Sequence, residues 1–373
     1  MRIGIMLRTY DEKGGIGVYS RNIVAELLNR DKRNEYVLFY RNPAHLGTHA
    51  GCANVQERVV KAPHIALWDQ IAIPAACRRE SVDVLFHPKF TAPLPAPCPV
   101  VMTVHGADWF IEEQAQYYHP LDVRYMRLMM PLYLQKCTSV ISVSQLTTEN
   151  FERIFGLPDG KMRTVYFAPA RHFSRVEDLA ALAAVRARYA LPERFILTLS
   201  KRAGDGRKNL GQIFKAYAAY HASVSEPLKL VVGGKDCHLF RDEYRLPASG
   251  YGRDILFPGW LEQTDLPAIY TLADLYLYPS NLEAFPIPIT EALACGTPII
   301  TSKVNGLQEI AQGAALLVDP QDVTAIRGAI CQLLTDPELR QTLSIKGRLR
   351  ARQFSWDQCA AGTLSILETA ARQ

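Results

Sequence analysis

Short apolar runs alternate with helical stretches along almost the whole chain, and this alternation constrains the fold more than any single motif. Strand-like runs occupy 3–8, 36–40, 82–87, 100–104 and 140–144, with helical periodicity over 18–29, 121–136 and 147–155 between or after them. A continuous apolar run is the mark of a strand covered on both faces, and parallel strands need a crossover helix. The pattern breaks at 166–173, an Ala/Arg-rich helix follows at 179–189, and a second series begins at 195–200. Its further strands are expected at 228–233, 255–257, 275–278, 298–302 and 315–318. The fold class expected is therefore α/β, with two doubly wound Rossmann-like domains facing across a cleft. The expected division is 1–168, 169–352, and a closing helix in 353–373 that stays with the second domain or crosses back to the first.

At 373 residues the chain exceeds what one core usually serves. Hydrophobic residues at 48% and charged residues at 21% indicate a globular rather than a disordered chain. No stretch approaches the ~20 apolar residues of a membrane span, and Met1–Leu7 reads as a buried strand rather than a signal peptide. A net charge of +5 is too mild to argue for nucleic acid. It suits anionic small molecules or loose attachment to an anionic membrane. Eight scattered cysteines, with no Cys-x-x-Cys and no Cys/His ligand spacing, point to a reduced, cytoplasmic protein without structural zinc.

Candidate chemistry sits at the expected carboxyl ends of strands, where doubly wound folds bind ligands. Glu283 and Glu291 bracket an apolar strand-to-helix turn that includes Phe285, Pro286 and Ile287. Carboxylates in such surroundings need partners, and hydroxyl groups are one kind; a solvated loop acid and a helix N-terminal acid are the plain alternative. His105, followed by Gly106, ends a strand and faces the expected crevice. His87 ends another. The loop 199–210 holds Lys201, Arg202, Arg207 and Lys208 between strand and helix, a setting suited to a diphosphate, with Asn209 expected to cap the helix. Gly14-Gly15-Ile16-Gly17 reads either as a backbone cradle for an anion or as a tight turn. It is not the dinucleotide fingerprint. Gly233 ends a strand, and the turn through Trp260 and Leu261 either presents backbone to a nucleotide base or carries a core tryptophan. No Asp-x-Asp occurs to clamp a metal on a diphosphate.

Seven segments, in order and spacing, resemble the family 4 retaining glycosyltransferases of the two-Rossmann, or GT-B, type. They are GGIGVYSRNI (14–23), TVHGADWF (103–110), VISVSQLTTENFERIFGLPDGKMRTV (140–165), LTLSKRAGDGRKNL (197–210), FPGWLEQTDLPAIYTLADLYLYPS (257–280), LEAFPIPITEALACGTPIITS (282–302) and AALLVDP (314–320). Within that family the chain looks most similar to mannosyltransferase-like enzymes of bacterial surface-polysaccharide (lipopolysaccharide) synthesis. The resemblance implies transfer of a hexose from a GDP- or UDP-linked sugar to a glycan or lipid-linked acceptor, without a metal or other cofactor. It implies that Glu283 contacts the donor sugar, Glu291 the ribose, Arg202 and Lys208 the diphosphate, and His105 the sugar near the reacting centre. Gly15 and Gly17 would let the first loop close over the donor, and Ser144 matches a family serine. The usual glycines around the phenylalanine are here Ala284 and Pro286. Proline has no N–H, so a backbone donor is lost and Phe285 and Ile287 remain to supply it.

A nucleotide-sugar-binding protein without transferase activity is the main alternative. A nicotinamide-dependent oxidoreductase and a glycoside hydrolase using the two glutamates are further ones. The basic, aromatic, Met-rich helix around Arg124–Tyr133 reads either as core-facing or as a surface meeting lipid-linked acceptor at the inner face of the cell membrane.

Overall fold

A computed structural model describes residues 1–12, 14–200 and 206–373, with residue 305 described by its backbone alone. The chain divides into two units, Met1–Phe167 with Ser355–Gln373, and Ala168–Phe354.

In the first unit seven strands pair in the order β3-β2-β1-β4-β5-β6-β7. They are β1 (Arg2–Met6), β2 (Glu35–Tyr40), β3 (Val55–Val59), β4 (Val84–His87), β5 (Val100–Val104), β6 (Ser139–Ser142) and β7 (Met162–Thr164). Every pairing is parallel. The crossovers include α1 (Gly15–Arg30), α2 (Pro120–Lys136) and α3 (Gln145–Phe155). Central strands β4 and β5 are buried at every position, as their unbroken apolar runs require. Edge strands β3 and β7 carry Gln56, Glu57, Arg58 and Arg163 and are only partly covered. The apolar pattern does not announce these two strands, because an edge strand needs no apolar run.

The second unit repeats the winding with six strands in the order β10-β9-β8-β11-β12-β13. They are β8 (Phe195–Leu199), β9 (Lys229–Gly233), β10 (Ile255–Leu256), β11 (Leu275–Tyr278), β12 (Ile299–Ser302) and β13 (Leu316–Val318). All pairings are again parallel. The helices α4 (Leu210–His221) and α5 (Ile287–Cys295) follow β8 and β11. Each sheet reverses its winding direction beside its first strand, between β1 and β4 and between β8 and β11. That is the switch point where such sheets open a crevice.

The last helix, α6 (Trp356–Ala370), joins the first unit. Trp356 stacks on Phe167 at 5.8 Å and lies 6.1 Å from Tyr19 on α1. Cys359, Ala360, Leu367 and Ala370, spaced to share one helix face, are fully buried. Ser355 caps the helix by accepting from the Gln358 N–H at 3.2 Å.

Candidate functional site

In the second unit, the residues that follow β8 and β11 meet at the switch point. Lys208, just before α4, places its ammonium against the Glu283 carboxylate and the Tyr278 hydroxyl. The Tyr278 hydroxyl donates to Glu283 at 2.9 Å. Glu283 thus has a cationic and a neutral partner, which is what permits a carboxylate in a mostly enclosed position. The Lys208 ammonium has three N–H donors; two are engaged by Glu283 and Tyr278, and the third can take a ligand oxygen. Burial and the neighbouring Glu283 push the Tyr278 phenol well above its ordinary range, so it stays protonated and can donate.

The turn carrying Glu283 is held from below. The Gly306 N–H donates to the Glu283 carbonyl at 2.9 Å. A Cβ on Gly306 would lie 2.1 Å from the Ala284 oxygen, so only glycine allows this approach. Ser280 and Asn281 bind the Arg207 backbone, the hydroxyl at 2.7 Å and the Asn281 N–H at 2.8 Å, lacing the two loops together.

Asn209 stands at the N-cap of α4, but its side chain caps nothing. Its backbone is left-handed, at φ 58°, and its amide instead donates to Pro279 at 2.9 Å and Pro320 at 2.6 Å. The capping expectation is thereby corrected: a left-handed residue turns its side chain away from the helix N–H groups, and here it joins three loops.

Next to this cluster lies a cavity of about 230 Å³ whose wall includes Lys208, Tyr278, Gly233, Trp260, Leu261 and Pro288. At Gly233 a Cβ would meet the Leu261 Cδ1 at 2.3 Å, so a larger residue there would displace the Leu261 side chain from the cavity wall. The Gly234 N–H bonds the Gly259 carbonyl at 2.9 Å, fixing the turn that presents Trp260. Trp260 is 55% exposed, so it is a rim residue and not a core tryptophan.

Glu291 lies one helical turn into α5 and is buried. Tyr270 donates to it at 3.1 Å. Burial raises its carboxyl to about 7, while the Tyr270 bond pulls the other way. Pro286 is the N-cap of α5 and Pro288 follows within its first turn, so two of the helix's leading positions carry no N–H. Phe285 is buried, 5.8 Å from Phe354. Arg202 and Lys201 lie outside the described residues.

In the first unit, His105 follows β5 with Gly106 at φ 147° turning the chain behind it. Its ring lies edge-on to Tyr19 at 5.0 Å and Phe90 at 5.7 Å. Its Nε2 lies 3.0 Å from the Pro88 carbonyl, which only accepts, so Nε2 carries the proton and Nδ1 is left as an acceptor. Desolvation lowers its pKa to about 4, which keeps the ring neutral.

Gly15 and Gly17 belong to the first turn of α1, not to a loop before it, which corrects the expected boundary. The preceding loop packs directly on that turn: a Cβ on Gly17 would be 1.8 Å from the Glu12 oxygen. Arg21 ties the same loop through the Tyr10 and Glu12 carbonyls at 2.7 and 3.0 Å. Ser144 accepts from the Thr147 N–H at 3.2 Å and caps α3.

The tyrosines are site residues that the sequence motifs do not single out. Tyr270 and Tyr278 interrupt apolar segments, and a buried phenol usually finds a partner; here the partners are Glu291 and Glu283. A second network shows in the sequence only through His87, at the end of its strand. Arg8 lies 3.2 Å from Asp69, Thr91 donates to Asp69 at 2.9 Å, and His87 bonds the Thr91 carbonyl at 2.7 Å. Among the described residues no three His, Cys, Asp or Glu side chains group as metal ligands.

Residues 13–167 match the family model described as Glycosyltransferase Family 4, and residues 183–350 match Glycosyl transferases group 1. An O-antigen chain mannosyltransferase B of Escherichia coli is 30% identical over 66% of this chain and 65% of its own length. The serotype-specific mannosyltransferase WbdA of Escherichia coli is 26% identical over 61% of this chain, but only 28% of its own length is spanned. Among solved structures, Anabaena Alr3699/HepE in complex with UDP-glucose superposes with a TM-score of 0.74 at 17% identity, covering 98% of this chain and 100% of that one. Two parallel sheets wound in this order, with neighbours of this kind, define the GT-B two-Rossmann fold class. The chain belongs to the glycosyltransferases that join a Family 4 domain to a group 1 domain.

Proposed function

We propose that the chain moves a hexose, mannose in the first instance, from a nucleoside diphosphate sugar to a hydroxyl of a glycan or lipid-linked acceptor in cell-surface polysaccharide synthesis, with retention at the anomeric carbon. The observation that carries this reading is the Lys208–Glu283–Tyr278 cluster at the β8/β11 switch point, beside the Trp260-rimmed cavity. The names of the two Escherichia coli relatives favour mannose and O-antigen, and the HepE neighbour was solved with UDP-glucose.

In this reading the base and ribose occupy the cavity wall and Glu291, and the diphosphate meets the spare N–H of Lys208 together with Arg202. As the glycosidic bond breaks, negative charge grows on the diphosphate, and a cation already fixed by Glu283 and Tyr278 needs no reorganisation to meet it. The positive charge that builds at the sugar ring is met by carboxylate oxygen from Glu283. The acceptor attacks from the face the diphosphate leaves, and the departing phosphate oxygen takes the acceptor proton. His105, neutral with Nδ1 free to accept, would hold a sugar hydroxyl. Phosphate neutralisation rests on side chains rather than on a bound metal.

The test is turnover of GDP- and UDP-hexoses, followed as acceptor glycosylation and as slow donor hydrolysis. Lys208→Ala should lower turnover about 10²- to 10³-fold, as loss of a preorganised charge does. Wild-type protein that binds nucleotide sugar yet neither transfers nor hydrolyses would favour the binding-protein alternative. Unchanged turnover in Lys208→Ala would overturn the phosphate assignment.

A further inference from the structure

Arg8 and Asp69 form an enclosed ion pair in the first unit that no step of the proposed reaction uses. Arg8 follows β1, and Asp69 lies in the helical turn Trp68–Ala72. Their side chains are 11% and 5% exposed, with the Arg8 Nε 3.2 Å from the Asp69 Oδ1. Replacing an enclosed ion pair by well-packed apolar groups is often neutral or stabilising, so stability alone does not account for this one. Both charges converge on Thr91. Its hydroxyl accepts from the Arg8 Nη2 at 3.2 Å and donates to the Asp69 Oδ2 at 2.9 Å. The turn that supplies Asp69 is itself fixed, because Trp68 is fully buried and donates to the Val60 carbonyl at 2.7 Å. Gln70, beside Asp69, accepts from the Leu94 N–H at 2.8 Å and donates to the Ala92 carbonyl at 3.1 Å.

Thr91 closes the loop that follows β4. Its N–H donates to the Lys89 carbonyl at 2.9 Å, and its own carbonyl accepts from the His87 Nδ1 at 2.7 Å. A carbonyl only accepts, so the His87 Nδ1 carries the proton; burial and the Arg8 charge keep that ring neutral. The His87 Nε2 is buried and has no partner among the described residues. That costs stability and points, like the ion pair, to a loop held for its position. The same loop makes two contacts with His105. The Pro88 carbonyl lies 3.0 Å from the His105 Nε2, and the Phe90 ring packs edge-on to the imidazole at 5.7 Å. The hydrogen bond to Pro88 is what sets the tautomer of His105 and the direction of its free nitrogen.

We propose that Arg8, Asp69 and Thr91 are positioning residues for His105. They hold the loop 88–91 so that the Pro88 carbonyl takes the His105 Nε2–H and Nδ1 is presented to substrate as an acceptor. The proposal rests on the reading of His105 as the group that holds a sugar hydroxyl. Charge-assisted hydrogen bonds are strong and directional, which suits a grip that must fix one carbonyl. Without that grip the Pro88 carbonyl is free to swing, and the ring loses its bond at Nε2. Nδ1 then no longer meets the hydroxyl in one geometry, a displacement that costs rate more than affinity.

The test is ring NMR of the full chain isotope-labelled at histidine, with the His105 signals assigned by their loss in His105→Ala, together with hydrolysis kinetics on GDP-mannose. All measurements are made well below each variant's melting temperature. Wild type should show a His105 Nε2–H that exchanges slowly with solvent. Thr91→Val keeps the side chain's shape and removes its hydroxyl. It should speed that exchange at least about tenfold and lower kcat about tenfold with KM little changed. Thr91→Ser, which restores the hydroxyl, should recover both. Arg8→Met with Asp69→Leu removes both charges and strands neither, and should behave as Thr91→Val does. In a His105→Ala background Thr91→Val should cost nothing further, because the two positions act through one contact. Wild-type exchange in both Thr91→Val and the ion-pair replacement would overturn the proposal. So would a loss of kcat repeated in full in the His105→Ala background, the mark of a merely structural role. Unchanged turnover in His105→Ala would overturn the reading on which the proposal rests, and the exchange measurement separates that failure from a failure of the positioning itself.

Discussion

Replacing Glu291 by glutamine should reverse a pH-dependent weakness in the second unit. In the folded chain burial lifts the Glu291 carboxyl from 4.5 to about 7. Between those values the folded state keeps a proton that the unfolded chain has released. Folding stability therefore falls as pH rises from about 4.5 to about 7 and is level beyond either end. At about 1.36 kcal/mol per pH unit, the full effect is roughly 3 kcal/mol. About 2.5 kcal/mol of it falls between pH 5 and pH 8. The substituted amide keeps an oxygen for the Tyr270 hydroxyl, 3.1 Å away in the parent, but cannot ionise. The assay is thermal or urea unfolding of both ligand-free proteins at pH 5 and pH 8. Relative to wild type, Glu291→Gln should gain on going to pH 8, by roughly 5–10 °C in melting temperature for a domain of this size. A wild-type-minus-variant difference that does not change with pH would refute the reasoning. Hydroxyl donors from a ribose would favour the ionised form, so nucleotide should bind more tightly as pH rises through 7 and should narrow the gap between the two proteins.

Tyr278→Phe removes the hydroxyl shared by Lys208 and Glu283, and should cost about 1–2 kcal/mol in kcat/KM, roughly tenfold, without loss of fold. Gly306→Ala puts a methyl group where the Ala284 oxygen is 2.1 Å away; steady-state kinetics should show lower turnover with nucleotide affinity less affected, because Glu283 moves while the cavity wall stays. His105→Ala should lower turnover about 10²-fold. In wild type the pH–rate profile should show no limb from this ring above about pH 5.5, since its pKa is about 4. Deleting 355–373 strips Trp356, Leu364 and Leu367 from the first unit. The loss, roughly 5–9 kcal/mol of apolar burial, matches the stability of a typical domain, and calorimetry should show the first unit's transition gone.

What was legible in the sequence followed from burial. All six strands of the second unit lie in apolar runs, and so do the central strands of the first. Strand β3, with Gln56, Glu57 and Arg58, gave no such run. The cation-rich loop and the strand-end glutamate were readable one at a time, but their pairing was not, since Lys208 and Glu283 are 75 positions apart. The same holds for Gly306, whose role depends on a carbonyl far back in the chain, at Ala284. Asn209 looked like a cap because the residue type favours that place, and its left-handed backbone overrode the preference. The helix around Arg124–Tyr133 left two readings open, core-facing or surface, because a helix apolar on two faces has little asymmetry to read; Met126, Met130, Tyr133 and Leu134 face the core while Leu121, Leu128 and Leu132 stay exposed.

The return of α6 to the first unit gives the two units different timetables on the ribosome. Residues 168–354 form one uninterrupted stretch, so the second unit can close its core as soon as that stretch has emerged. The first unit is synthesised earlier yet cannot finish, because Tyr19 and Phe167 wait for Trp356. For the whole time that residues 168–354 are being made, an aromatic face stays uncovered. The amino-terminal half is thus the last part of the chain to become native, and the part that most needs protection while it waits.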